Sequence, residues 1–129
     1  MTDPDFPDDL RSFIQEYISS VDAAELLILL AADPHRHFRL ADAIDALRPT
    51  VVSEPAARRY LVHFEAHGLV TSAAGEDWHY SPATPALERA VRALTKVYNE
   101  RPVTLVRMIY ALKDETLRSF ADAFRLRKE

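Results

Sequence analysis

The histidines are the first residues whose spacing could support chemistry. His63 and His67 lie four residues apart in a predicted helix, which places both imidazoles on one face, and such a pair can hold zinc. The zinc-protease pattern HExxH is absent because position 64 is phenylalanine, and the chain has no cysteine to supply a thiolate. His35 and His37 lie in a predicted loop. We therefore expect polar surface histidines and no metal ion or other cofactor.

Patterns for covalent or phosphate chemistry are absent from the sequence. The chain contains two glycines, too few for a glycine-rich loop that cradles a phosphate. Its serines lack the strand–turn–helix context of a nucleophile elbow, and its carboxylates are scattered along polar faces. We expect no catalytic residues and a protein that is not an enzyme.

Apolar periodicity predicts the elements that carry these side chains, a set of helices with one β-hairpin. Helices are predicted over 10–18, 21–32, 40–47, 54–67, 85–99 and 102–127, with a weak point at 113–114. Short strands at 69–71 and 78–80 form the hairpin, in which Trp78 and Tyr80 pack against the core. Residues 1–9 are predicted to be an acidic flexible N-terminus. Residues 10–129 form one domain with its core at 20–82.

Local capping signals mark the ends of two of these helices. Ser20 and Ser53 precede helical segments and are favourable N-caps. Gly68 follows the helix over 54–67, where a left-handed residue commonly ends a helix. On that helix, Ala57, Leu61 and Phe64 form the stripe expected to face the core.

Composition and charge are those of a globular domain with an uneven charge distribution. The chain has 129 residues, of which 48% are hydrophobic and 28% charged. Residues 1–35 carry eight acidic residues and one basic residue, whereas residues 36–129 carry 15 basic and 12 acidic residues. The net charge of −4 therefore does not exclude a nucleic-acid partner, because the excess of acidic residues lies in the first 35 positions. With neither a signal peptide nor a long apolar run, we expect a cytoplasmic protein without a membrane partner.

The order of the predicted elements resembles that of winged helix-turn-helix transcriptional regulators of the MarR and ArsR type. The resemblance covers about residues 20–81 and is carried by 24–30, 38–42, 57–61 and 67–70. It implies a mainly α fold with a β-hairpin wing and additional terminal helices. It also implies a transcriptional regulator that binds duplex DNA through the helix over 54–67.

The resemblance further implies which side chains contact DNA. In this family the base-reading positions lie in the first half of the recognition helix, and here they are held by Arg58 and Arg59. Arginine can bind guanine in a bidentate manner or neutralise a phosphate. The candidate DNA contacts are Arg58, Arg59, Ser53, Thr50, Arg48, Arg39 and Arg36.

Two features of the sequence favour other interpretations. Residues 71–81 contain no lysine or arginine, and Glu76 and Asp77 lie near the predicted hairpin tip. Glu54 lies at the start of the helix over 54–67, where its negative charge would repel DNA phosphates. One alternative is that Arg58 and Arg59 form a solvated helix face. Another is a winged-helix module or adaptor that binds a protein and not DNA.

The C-terminal helices carry more apolar surface than one small domain can cover. Regulators of the resembled family dimerise through terminal helices, so we expect a homodimer. The predicted interface residues are Leu87, Val91, Leu94, Tyr98, Val106, Ile109, Tyr110, Phe120 and Phe124. The alternative is that these helices surround their own core. A small-molecule effector or a further protein partner is compatible with this class, and the sequence specifies neither.

Overall fold

The fold is mainly helical with a small antiparallel sheet, as the sequence predicts. The computed structural model describes the backbone of residues 8–127 and the side chains of residues 8–114. Over that range it has six α-helices and three β-strands. They are α1 (Asp8–Tyr17), α2 (Val21–Ala32), β1 (Phe38–Arg39), α3 (Leu40–Ala46), α4 (Glu54–Ala66), β2 (Val70–Ala73), β3 (Asp77–Tyr80), α5 (Pro85–Glu100) and α6 (Pro102–Arg127).

The sheet has the strand order β1-β3-β2, and both pairings are antiparallel. In this register Trp78 of β3 lies opposite Phe38 of β1, and both side chains are buried. The sequence predicts the β2–β3 hairpin but not β1. A strand of two residues is too short to show an alternating pattern and exists only through its pairing with β3.

Helix α2 lies at the centre of the core, as its nearly continuous apolar sequence predicts. Ser20 caps its first turn, where the hydroxyl accepts a hydrogen bond from the Ala23 N–H at 3.1 Å. Its buried residues are Ala23, Ala24, Leu26, Leu27 and Leu30. Every buried side chain within residues 8–114 is apolar, so hydrophobic burial dominates the stability of this region.

Three residues predicted for a dimer interface lie inside the single chain. Val91 and Leu94 of α5 and Ile109 of α6 are at most 1% exposed. Helices α5 and α6 pack on each other and on α1, and α5 also packs on α2, so these side chains complete the core of one protomer. Their assignment to an interface between chains was wrong.

The remaining predicted interface residues are placed differently. Leu87, Tyr98 and Val106 are partly exposed, and the Tyr110 side chain is 66% exposed. Phe120 and Phe124 belong to α6, but their side chains lie outside the described residues. Among the residues with described side chains, Leu87, Tyr98, Val106 and Tyr110 are therefore the predicted interface residues that remain accessible to a second chain.

Two predicted boundaries shift in the structure. Helix α1 begins at Asp8, so Asp8 and Asp9 lie in its first turn, where carboxylates interact favourably with the positive end of the helix dipole. They do not belong to a flexible segment, and residues 1–7 lie outside the described range. Helix α6 passes without interruption through Lys113 and Asp114, the predicted weak point, because neither residue breaks a helix as proline or glycine would.

Gly68 ends α4 in the predicted left-handed conformation, with φ of 76°. An added Cβ would lie 3.0 Å from the Ala83 Cβ, whereas one at Gly75, with φ of 71°, would meet no atom within 4 Å. Gly75→Ala should therefore cost about 1–2 kcal/mol of unfolding free energy from backbone strain alone. Gly68→Ala should cost more, because contact with Ala83 adds to the same strain. Urea unfolding of both variants measures the difference, and equal costs would contradict the close packing at Gly68.

Within residues 8–127 no helix has both the length and the hydropathy that a membrane span requires.

Candidate nucleic-acid interface

Helix α4 is held to the protein by its apolar underside. The Ser53 hydroxyl accepts a hydrogen bond from the Ala56 N–H at 3.2 Å, which caps the helix as the sequence predicts. The predicted inward stripe of Ala57, Leu61 and Phe64 is at most 1% exposed. The underside thus fixes the rotation of α4 about its axis, and with it the direction in which the opposite face points.

The opposite face of α4 is exposed and combines two cations with apolar groups. Arg58 and Arg59 are exposed, and Val62 between them and the helix end is 53% exposed. A shallow depression on this face is lined by Pro55, Arg58, Arg59, Val62, His63 and Ala66. The face presents guanidinium donors next to methyl groups, a combination suited to base edges or to an apolar partner.

Two side-chain hydrogen bonds fix α4 from its flanks. The Ser20 hydroxyl donates to the Tyr60 hydroxyl at 3.0 Å and joins the start of α2 to α4. The Ser72 hydroxyl of β2 donates to Glu65 Oε2 at 2.6 Å. Because Glu65 bonds to the hairpin, this carboxylate is directed away from Arg59 and Val62.

The two arginines of α4 differ in their surroundings. The guanidinium carbon of Arg58 lies 6.0 Å from the centroid of the Trp78 ring, within range of a cation–π contact. Trp78 is 1% exposed and belongs to β3. Arg58 is thus positioned toward the hairpin, and Arg59 projects from the helix on the side facing away from the core.

The flanking arginines predicted as phosphate contacts are all exposed, and each lies in a different segment around α3. The guanidinium of Arg36 lies 4.3 Å from the centre of the Phe38 ring. Arg39 is in β1, opposite Asp77. Arg48 lies 3.7 Å from an Asp45 carboxylate oxygen in a solvent-exposed ion pair, which contributes little energy.

Thr50 does not fit its predicted role as a phosphate donor. Its hydroxyl donates to Glu25 Oε2 of α2 at 2.7 Å, so the proton is already used inside the protein. The Ser53 hydroxyl accepts its capping bond and retains its own proton for an outside acceptor.

The chain was compared with protein-family models, curated proteins and solved structures. No protein-family model, curated protein or solved structure matches the chain.

The predicted histidine pair lies at the C-terminal end of α4, where His63 is in the last turn and His67 is the C-cap residue. The rings of His63 and His67 are 4.3 Å apart, and the Tyr17 ring meets His67 edge-on at 5.1 Å. Burial and then the neighbouring His67 and Lys113 lower the pKa of His63, opposed by a hydrogen bond involving the Tyr17 backbone. Among the residues with described side chains, no three histidines or carboxylates come together in a way that could hold a metal ion.

A second histidine pair, His37 and His79, has no signal in the sequence. The rings of His37 and His79 stack at 4.3 Å with 16° between their planes, and His37 Nδ1 lies 3.5 Å from Asp77 Oδ2. No local signal joins these residues, because the contact depends on the pairing of β1 with β3. The Asp77 carboxylate near the hairpin tip therefore contacts a ring nitrogen of His37.

Proposed function

We propose that this chain is a winged helix-turn-helix protein that binds duplex DNA without catalysis, with α4 entering the major groove. The observation that carries the proposal is the orientation of α4, whose buried underside leaves Arg58 and Arg59 exposed. The order of α2, α3, α4 and the β2–β3 hairpin, with β1 completing the sheet, supports it.

The dimensions and chemistry of α4 suit this role. An α-helix with side chains is about 10–12 Å wide, and the major groove is about 12 Å wide. Arg58 and Arg59 supply donors that can bind guanine or phosphate. Arg36, Arg39 and Arg48 are exposed around the α3 region, where they would neutralise phosphates beside the groove.

We further propose a homodimer that acts as a cytoplasmic transcriptional regulator. A two-fold pair would place two copies of α4 about one DNA turn apart. The exposed Tyr110 and the partly exposed Leu87, Tyr98 and Val106 support contact through the outer faces of α5 and α6.

A protein-binding module is the second candidate, and one observation favours it. The apolar part of the α4 face, formed by Pro55, Val62 and Ala66, would suit a protein partner. Residues 71–81 also lack any lysine or arginine with which a wing could enter the minor groove.

Salt-dependent binding to random-sequence duplex DNA separates the two candidates. We expect fluorescence anisotropy at low salt to detect binding, with a slope of about −4.5 in log affinity against log salt if Arg58, Arg59 and the three flanking arginines each meet one phosphate. Light scattering on the same sample should give the mass of a dimer. No binding at low salt, or binding that is insensitive to salt, would contradict DNA recognition and favour the protein-binding module.

A further inference from the structure

The outermost line of α4 is mostly apolar. Successive helix residues turn by about 100°, so Pro55, Arg59, Val62 and Ala66 point away from the buried underside. Arg59 is the one charged member of this line. Val62 lies one turn beyond it and is 53% exposed. A single exposed valine would need no explanation. Here, however, Val62 lies on the same exposed line as Pro55 and Ala66, so three apolar residues share this line with Arg59.

We propose that Val62 is a specificity-determining residue that reads the methyl group of thymine, and this inference rests on the proposed function. The C5 methyl of thymine is the apolar group that the major groove presents among its donors and acceptors. The valine methyls of an exposed helix face are its chemical complement. Arg59 supplies the matching polar contact, because arginine binds guanine through O6 and N7.

The helix geometry sets the distance between the two bases. Arg59 and Val62 are three residues apart, which is about 4.5 Å along the helix axis. Base pairs follow one another every 3.4 Å or so. The thymine should therefore lie within one or two base pairs of the guanine that Arg59 binds.

Charge makes DNA a better occupant of this face than an apolar protein surface. A protein that covered Val62 would also cover parts of Arg58 and Arg59, and buried guanidinium groups need paired charges. Duplex DNA provides acceptors for the two cations, on the guanine edge and on the phosphates, and methyl groups for the valine in one surface. The nearby Glu65 keeps its negative charge, but the hydrogen bond that it accepts from the Ser72 hydroxyl holds the carboxylate toward the hairpin.

Replacement of thymine by deoxyuridine tests the inference, because it removes only the methyl group. A duplex is first selected from a randomised pool with the wild-type protein, and each thymine in it is then replaced in turn. We expect one replacement to lower wild-type affinity about fourfold, the factor for losing one methyl-sized contact. Val62→Ala should bind the original duplex about as weakly as wild type binds the replaced one, and should lose no further affinity on replacement.

Val103→Ala is the matched control, because Val103 is a similarly exposed valine, at 62%, in α6. It should keep the full response to deoxyuridine. If wild type binds a selected duplex but no thymine replacement changes its affinity, the reading of methyl groups by Val62 is wrong while DNA binding stands. The same conclusion follows if Val62→Ala keeps the wild-type response. If no duplex is selected at low salt, the proposed function itself fails, and the inference fails with it.

Discussion

Replacing Arg58 and Arg59 together with alanine should weaken duplex binding about a hundredfold and flatten its salt dependence. Each arginine lost from a base contact costs about 1–3 kcal/mol, and each lost from a phosphate lowers the salt slope by about one. Both side chains are exposed on α4, so the variant should fold with near wild-type stability. Anisotropy titrations at several salt concentrations, together with thermal unfolding, measure the two effects separately.

A double variant of Arg89 and Lys96 controls for charge. These two cations are exposed on α5, on the side of the helix opposite Leu87, so their replacement with alanine removes the same net charge away from α4 and from the proposed dimer contact. We expect only a small, general loss of affinity from this control. Equal losses in the two double variants would mean that binding follows overall charge, and unchanged affinity in the Arg58/Arg59 variant would mean that α4 does not contact DNA.

Features set by neighbouring residues could be predicted from the sequence. Ser20 and Ser53 cap their helices with bonds to backbone groups three residues ahead, and Gly68 adopts the left-handed conformation that ends α4. Each depends on the chemistry of a few consecutive residues. The buried stripe of α4 was predicted for a similar reason, because helical periodicity alone places Leu61 and Phe64 on one face.

Features set by distant pairing could not be predicted. The Thr50 hydroxyl bonds to Glu25 in a preceding helix, and β1 exists only because it pairs with β3. Periodicity indicates which face of a helix is buried but not whether the same chain covers it. For that reason Val91 and Leu94 were assigned to an interface between chains although they lie in the core of one chain.

The exposure of Val62 in the candidate site also depends on packing between distant parts of the chain, so it could not be predicted from the sequence. A valine in a helical segment is usually taken as core, and its 53% exposure follows only from how α4 is rotated on the protein. The sequence therefore predicts Arg58 and Arg59 as DNA contacts but gives no signal for the exposed Val62 on the same helix.

Truncation of Phe64 should cause the largest loss of stability among single changes to α4. The Phe64 side chain is fully buried beneath the helix. The backbone carbonyl of Phe64 accepts a hydrogen bond from the Leu69 N–H at 2.9 Å, where α4 ends and the chain turns toward the hairpin. Phe64→Ala should lower the unfolding free energy by about 3–5 kcal/mol, through lost burial and the cavity left behind. That is a large part of the about 5–15 kcal/mol by which small domains are stable.

Urea unfolding followed by Trp78 fluorescence measures this loss, because Trp78 is the single tryptophan and is 1% exposed in the folded chain. Val62→Ala is the matched control on the same helix and should change the unfolding free energy by no more than about 0.5 kcal/mol, since Val62 faces solvent. The two variants thus separate the roles of the two faces: Phe64→Ala should reduce DNA binding only by lowering the folded fraction, whereas Val62→Ala should reduce it in fully folded protein. A stability cost for Phe64→Ala as small as that of the control would mean that α4 is not held by its apolar underside, and the orientation of Arg58 and Arg59 would lose its physical basis.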